Sequence, residues 1–433
     1  MKQCHPERRY AKVEGSERRY AKVEGSERNG VILSAVEGSQ KDRGPYDFII
    51  AGGGLAGLSL AMQLVSSALR DCSILIIDKD TKQRNDRTWG FWTDRVTLFD
   101  EAVYRTWSKL RIAGDRGDQR IDLGDYQYKM IRGIDFYNFA HQKLASYPNV
   151  HFMHGVVQEI EDGKRAATVT VDGQTFKGKW VFDSLPPRFV HDPDATDFHY
   201  LKMHFRGWEV ETPKPAFDPE CVTFLDFRTP QEREMRFFYV LPFAENCALV
   251  EFTLFSKRVL RHSEYEAALK DYLTNTLGIH EYRVLSEERG CVPITDQPLP
   301  RQMGRHIMSI GMKAKRVKPS TGSAFMRIQE ASEAIVDSLL LYGHPFRVPD
   351  DPDLYDVLDA VMLEVMQKHG DFLKTAFGAM FKRVPAKHIL RFLDEEATPW
   401  ENLMLVASLP PRLFVQALLQ VLTHQQVSEI IKS

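Results

Sequence analysis

Apolar positions along this chain change texture twice, and each change marks a structural boundary. Early on they form short unbroken runs: Phe48–Ala51 and Ile74–Ile77, with a helix-spaced segment, Leu58–Leu69, between them. Unbroken runs of this length predict strands buried on both faces, as in a parallel sheet. Tyr128–Phe139 predicts a strand leading into a helix, with Asp135 as its N-cap. Val150–Ile160 and Ala167–Thr175 alternate around a turn at Glu161–Lys164, and Trp180–Leu185 returns as a buried strand that Pro186 and Pro187 end. From about Tyr200 the texture becomes that of antiparallel strands: Lys202–Glu211, Val222–Arg228, Arg236–Pro242 and Ala248–Phe255. Glu288–Asp296 predicts a strand entering a proline turn. Ile307–Ile310 is a short strand, and the turn Pro319–Gly322 feeds a helix over Ala324–Leu341. The rest is helix-spaced, at Leu354–Lys368, Leu373–Arg383, Ala386–Asp394 and Arg412–Ile431.

This order predicts an α/β fold: a Rossmann-type dinucleotide-binding domain over 45–195 and 286–345, an inserted antiparallel substrate sheet over 196–285, and a helical C-terminal region over 346–433. The first 44 residues stand apart. ERRYAKVEGS occurs at Glu7–Ser16 and again at Glu17–Ser26, and VEGS returns at Val36–Ser39. A charged repeat so poor in apolar residues builds no core, so 1–44 is expected to be a disordered extension. Composition changes the picture little. With 27% charged residues and a net charge of −2, the chain has no surplus of basic residues suited to nucleic acid. The five cysteines are scattered without a CxxC pair, which argues against a disulfide framework or a zinc site, and no metal ligand set is expected. No apolar run is long enough to span a bilayer, and no signal peptide is expected.

The chemistry begins between the first two strands. Gly52, Gly54 and Gly57 fall where a pyrophosphate must approach the backbone, at the N-terminus of the following helix, and Asp78 ends the second strand, where it accepts from a ribose hydroxyl. Asp183, also at a strand end, is expected near the nucleotide. Arg87–Trp92, RTWGFW, is either a lid over a flat ligand, with Trp89 in it, or an aromatic core cluster. Glu251 breaks the apolar strand ALVEFTLF. Either it faces solvent, or it faces a cavity where desolvation raises its pKa and makes it a proton donor. Thr295 and Asp296 either close a pocket or cap the turn. The turn at Pro319–Gly322 offers a second helix N-terminus to a phosphate or a flavin ring. RFLDEE, Arg391–Glu396, is expected to be a solvated helix end.

Together these blocks resemble a family. The glycine unit IIAGGGLAGLSLA, RTWGFW, YKMIRGIDFYNF, HFRGWEVET, FYVLPFAENCALVEFTLFS, ERGCVPITD, KPSTGSAFMRIQ and RFLDEE occur in the order seen in the flavin-dependent lycopene cyclases of carotenoid biosynthesis, bacterial β-cyclase branch. The resemblance covers about Tyr46 to Leu422. It implies FAD, kept reduced by NAD(P)H, held by the glycine turn with Asp78, Arg87, Asp183 and Gly311. It implies a redox-neutral, acid-catalysed closure of the ends of lycopene to β-rings, giving γ- and then β-carotene. The family's essential acid, in a strand written FLEET or similar, falls on Glu251. Trp89, Phe252 and Asp296 are then expected in the substrate pocket, with Trp89 and Phe252 offering aromatic faces to the cation. A substrate that dissolves in hydrocarbon implies a cytoplasmic protein docked peripherally on the inner face of the cell membrane. Two positions depart from the family pattern. Phe252 replaces the second acid of the strand. Lys313, Ala314 and Lys315 replace an Ala-Gly-Gly that faces the flavin, which predicts either a re-routed loop whose lysines meet phosphate or weak FAD binding. A prenyl reductase or monooxygenase of the same fold, and a flavin-free non-catalytic relative, are the competing readings.

Overall fold

The computed structural model describes residues 45–114, 117–186 and 198–432. The expectation for residues 1–44 lies outside the described residues. Tyr46–Ala51 and Ile74–Asp78 run parallel, flanked by Val150–His154 on one side and Gln174–Asp183 on the other. Their unbroken apolar character follows from two-sided burial. Phe48, Ile50, Ile74 and Ile76 pack into one core, and Ile49, Leu75 and Ile77 into another on the opposite face. Gln174–Asp183 serves two partners along its length. Its first half pairs antiparallel with Ala167–Val171, and its second half runs parallel to Tyr46–Ala51 and Ile307–Ser309. Val150–Ile160 is two strands, Val150–His154 and Val157–Glu161, because the chain leaves one sheet position at Gly155 and returns at another.

The helix after the glycine turn runs Leu55–Val65, three residues earlier than its apolar spacing predicts. Almost every residue of it is buried, because it lies between the parallel sheet and the helices Gly133–Leu144 and Phe325–Tyr342. A helix buried on most faces shows little amphipathic period, which explains the offset.

The second sheet has seven strands in the order Arg283–Thr295, Tyr200–Glu211, Cys247–Ser256, Met235–Ala244, Cys221–Asp226, Lys109–Gly114 and Gly117–Asp122. It is antiparallel except where Cys221–Asp226 runs parallel to Lys109–Gly114. Two strands from 109–122, and all of Arg283–Thr295, therefore belong to it and not to the nucleotide domain, which corrects the boundaries at 196 and 285. A parallel pairing across some hundred residues leaves no local signal in sequence. One face carries Val250, Phe252, Leu254 and Phe238 against the helix His262–Asp271 and Tyr272. The other carries Leu249, Phe255, Phe237 and Phe224 toward the C-terminal helices. A three-stranded sheet, Thr88–Thr93, Gln127–Arg132 and Arg105–Trp107, bridges the two large sheets.

Candidate active site

The glycine turn is fixed by what its neighbours leave no room for. A Cβ at Gly57 would lie 1.9 Å from the Gly52 carbonyl oxygen, so helix and strand can meet this closely only around glycine. Gly52 has φ +109°, a conformation strained for any side chain. Gly54 is the helix N-cap. A Cβ there would meet nothing within 4 Å, so its face is open to the cavity, and no side chain caps the free N–H groups. Asp78 lines the same cavity and accepts from the backbone N–H of Gly53 at 2.6 Å and of Asp80 at 2.7 Å. An uncapped helix end, an open Gly54 and a carboxylate at the second strand end fit the phosphates and ribose of a dinucleotide.

From this turn one cavity of about 870 Å³ runs between the two large sheets to the C-terminal helices. Arg87 and Trp89 line it, as do Gly311 and the loop Ser320–Ala324. Trp89 also stands edge-on to Phe136 with centroids 5.2 Å apart, so the RTWGFW segment both packs a core and walls the cavity. Gly311, at φ +64°, brings its backbone so near the nucleotide helix that a Cβ would lie 2.7 Å from the Ala56 Cβ. The far reach is apolar, walled by Phe224, Phe237, Phe255, Phe377, Met380 and Phe381.

Glu251 lies between these two reaches. Strand alternation sets Leu249, Glu251, Thr253 and Phe255 on the cavity face. Thr253 Oγ1 donates to Glu251 Oε1 at 2.8 Å. Across the sheet, Gly207 pairs with both Glu251 and Glu288, and its missing side chain leaves the gap in which the two carboxyls meet. A Cβ on Gly207 would lie 3.1 Å from Glu288 Cγ and 3.4 Å from Glu251 Cβ. The two carboxyls come within reach of a shared proton, and Thr88 Oγ1 donates to Glu288 Oε2 at 2.6 Å. Burial drives the Glu251 pKa well above the ordinary carboxylate range, and the neighbouring Glu288 charge adds to it. Burial also raises Glu288, while hydrogen bonds from Glu251 and Thr88 pull it back. Burial thus raises both carboxyls, and the pair is suited to keeping a proton between them. Tyr128 and Tyr239 flank Glu251, and burial keeps both phenols protonated, presenting neutral rings to the cavity.

Sequence reasoning missed Glu288. Its signal was the leading acid of ERGCVPITD, but its partner was sought at the residue beside Glu251 when it comes from another strand. Phe252 is a correction. It is 1% exposed on the opposite face of the sheet, packed on Phe238 and Tyr265, because successive residues of a strand point to opposite faces. A carboxylate at that position would lie in that second core and not in the cavity.

Asp296 is also corrected. It does not line the cavity; His199 is held between Asp296 at 2.6 Å and Glu364 at 2.9 Å, tying the sheet to a C-terminal helix. Asp183 is turned from the cavity as well, onto Lys313 Nζ and the Leu185 N–H. At the departure Lys313–Lys315 the lysines meet carboxylates: Lys313 pairs with Asp183, and Lys315, at φ +58°, meets Asp356 at 2.6 Å. Neither lysine lines the cavity, while Gly311 still makes the close approach. In RFLDEE only Glu396 is exposed, and the two acids before it are bound. Asp394 accepts from Trp92 Nε1 at 2.6 Å, and Glu395 is bound by Lys318 at 2.7 Å and Arg327 at 2.6 Å. These buried pairs brace the Lys318–Ser323 loop from behind, which consecutive acids in a sequence do not disclose.

The comparisons with known proteins bear on this geometry. Residues 47–419 match the family profile described as "Lycopene cyclase protein". The chain belongs to the lycopene cyclase family. It is 26% identical over 325 residues to the chloroplastic lycopene beta cyclase of Arabidopsis thaliana, covering 69% of this chain and 61% of that protein. To the chloroplastic neoxanthin synthase of Solanum tuberosum it is 23% identical over 363 residues, covering 78% of this chain and 69% of that protein. The match thus spans about three fifths of the length of the plant cyclase. Among solved structures, a flavoprotein/dehydrogenase from Cytophaga hutchinsonii superposes with a TM-score of 0.59 at 14% identity, covering 81% of this chain and 92% of that one. A geranylgeranyl bacteriochlorophyll reductase-like protein from Thermoplasma acidophilum superposes with a TM-score of 0.50 at 14% identity, covering 87% and 95%. These likenesses give the fold.

Proposed function

We propose that this protein is a lycopene β-cyclase that closes the acyclic ends of lycopene by proton transfer, without net oxidation. The observation that carries the reading is Glu251, a carboxyl held protonated on the wall of an apolar cavity that opens from a dinucleotide turn. The residues fit FAD. Gly52, Gly54, Gly57 and the helix N-terminus would hold its pyrophosphate and Asp78 its ribose, with Arg87 and Gly311 along the cavity. When bound and kept reduced by NAD(P)H, FAD would supply an electron-rich ring. The protein's own residues do the rest. The aromatic reach beyond Glu251 takes the polyene by burial alone, since a hydrocarbon offers nothing to hydrogen-bond. Glu251 donates its proton to the terminal double bond. Tyr128, Tyr239 and Trp89 turn ring faces toward the cation that results, and the cavity walls exclude the water that would quench it.

Access from a membrane surface is part of this proposal. Among the described residues no single helix is long and apolar enough to cross a membrane. Pro399–Ser408 and Pro411–Thr423 meet at a 117° bend and expose Trp400, Leu403, Val406, Val415, Leu419 and Leu422. A bent apolar pair of this kind suits docking in the headgroup region on the cytoplasmic face. Expression in a lycopene-accumulating bacterial host, followed by pigment extraction, tests the function. The expected extract contains γ- and β-carotene. An extract of unchanged lycopene, from cells in which the purified protein carries flavin, overturns it.

A further inference from the structure

We infer that Glu288 is the base of the same reaction, receiving the proton that the ring loses and returning it to Glu251. The inference rests on the cyclisation reading and adds a second catalytic group to it. Glu288 lines the cavity beside Glu251, on the other side of the gap that Gly207 leaves. One of its oxygens, Oε2, is taken by Thr88; Oε1 is buried and has no hydroxyl or amide donor. That oxygen is left for Glu251 and for a proton arriving from the cavity. Tyr128 and Tyr239 face the pair from neighbouring strands, and Glu209 and Asp86 are the charged groups acting on Glu288. Among the described residues no lysine or arginine forms a salt bridge to either carboxyl, so the pair is suited to one shared proton and not to two full charges.

The chemistry balances within the pair. The Glu251 O–H bond breaks as the terminal double bond takes the proton, leaving a carboxylate and a carbocation. A second double bond supplies the electron pair of the new ring bond, and the positive charge moves onto the ring. A ring C–H bond then breaks, its electrons form the ring double bond, and the proton goes to Glu288. Transfer along the shared hydrogen bond restores Glu251, so nothing is consumed. The carbon that gains a proton and the carbon that loses one are both attached to the carbon at which the ring closes. Two adjacent carboxyls can therefore serve both from one side.

The test is Glu288→Gln, which preserves shape and an acceptor for Thr88. With flavin content and unfolding temperature retained, cyclisation should fall by about 100-fold or more, and residual rings should carry their double bond at another position. Removing the Glu288 charge should also move the alkaline fall of activity to lower pH. Wild-type rate with only β-rings overturns the inference, and so does a loss of rate with both product and pH profile unchanged. Infrared spectroscopy of the resting protein separates this from the function itself. A protonated-carboxyl band altered by both Glu251→Gln and Glu288→Gln supports the shared proton even if wild type leaves lycopene untouched; a band insensitive to Glu288→Gln overturns it.

Discussion

The glycine turn and the carboxyl pair share one cavity, yet they are encoded in opposite ways. The turn lies within one short stretch, and each of its demands is local: a carbonyl 1.9 Å from where a Cβ would sit, a φ of +109°, an open helix end. Its geometry favours the fold and the ligand alike. The pair exists only once three strands align, and it burdens the fold, because two desolvated carboxyls in contact are stable only by sharing a proton. Cofactor binding is thus built from backbone, whereas the acid is built from burial that only tertiary structure provides.

The largest break in that comparison is Gly57→Ala. The added methyl collides with backbone that cannot move away, so a destabilisation of about 3 kcal/mol or more is expected, with loss of flavin. Chemical denaturation and the visible spectrum of the purified variant check both, and a stable, yellow Gly57→Ala protein would contradict the account of the turn. At the other end, Glu251→Gln should do the reverse to stability. A carboxyl whose folded pKa is raised contributes stability below its unfolded value of 4.5 and loses it as pH rises through the folded pKa. The glutamine variant should therefore unfold at a higher temperature than wild type near pH 8 and at nearly the same temperature near pH 4. A gain that does not grow with pH would place Glu251 in solvent. Away from both regions, a pH-dependent effect is expected at Asp394, raised from 3.8 to about 8 chiefly by burial. Its contribution to stability declines between those two values, so Asp394→Asn should gain on wild type across that window and level off above it. Melting curves at stepped pH measure this.

What could be read in advance follows the same division. The parallel strands, the glycine turn and the alternation of the substrate strands were visible, because each is a local period or a local steric demand. The start of the helix Pro399–Ser408 went unmarked although Thr398 and Glu401 form its capping box. Glu251 stood out as an acid in an apolar strand. Its face was not settled until Leu249 and Thr253 were seen beside it in the cavity wall. Glu288 was invisible as a partner because the two strands join through a third. Asp183, Asp296 and Glu395 were misread for one reason: a sequence gives no sign of which cation will claim a carboxylate. Here Lys313, His199, Lys318 and Arg327 do so.

The central claim is that a proton from Glu251 starts the reaction. A single turnover of flavin-loaded, reduced protein with lycopene in deuterated buffer tests it most directly, with the products read by mass spectrometry. The account predicts one deuterium in the first ring that each wild-type protein closes and no rings for Glu251→Gln. Rings formed by Glu251→Gln at the wild-type rate, with deuterium in place, would contradict it.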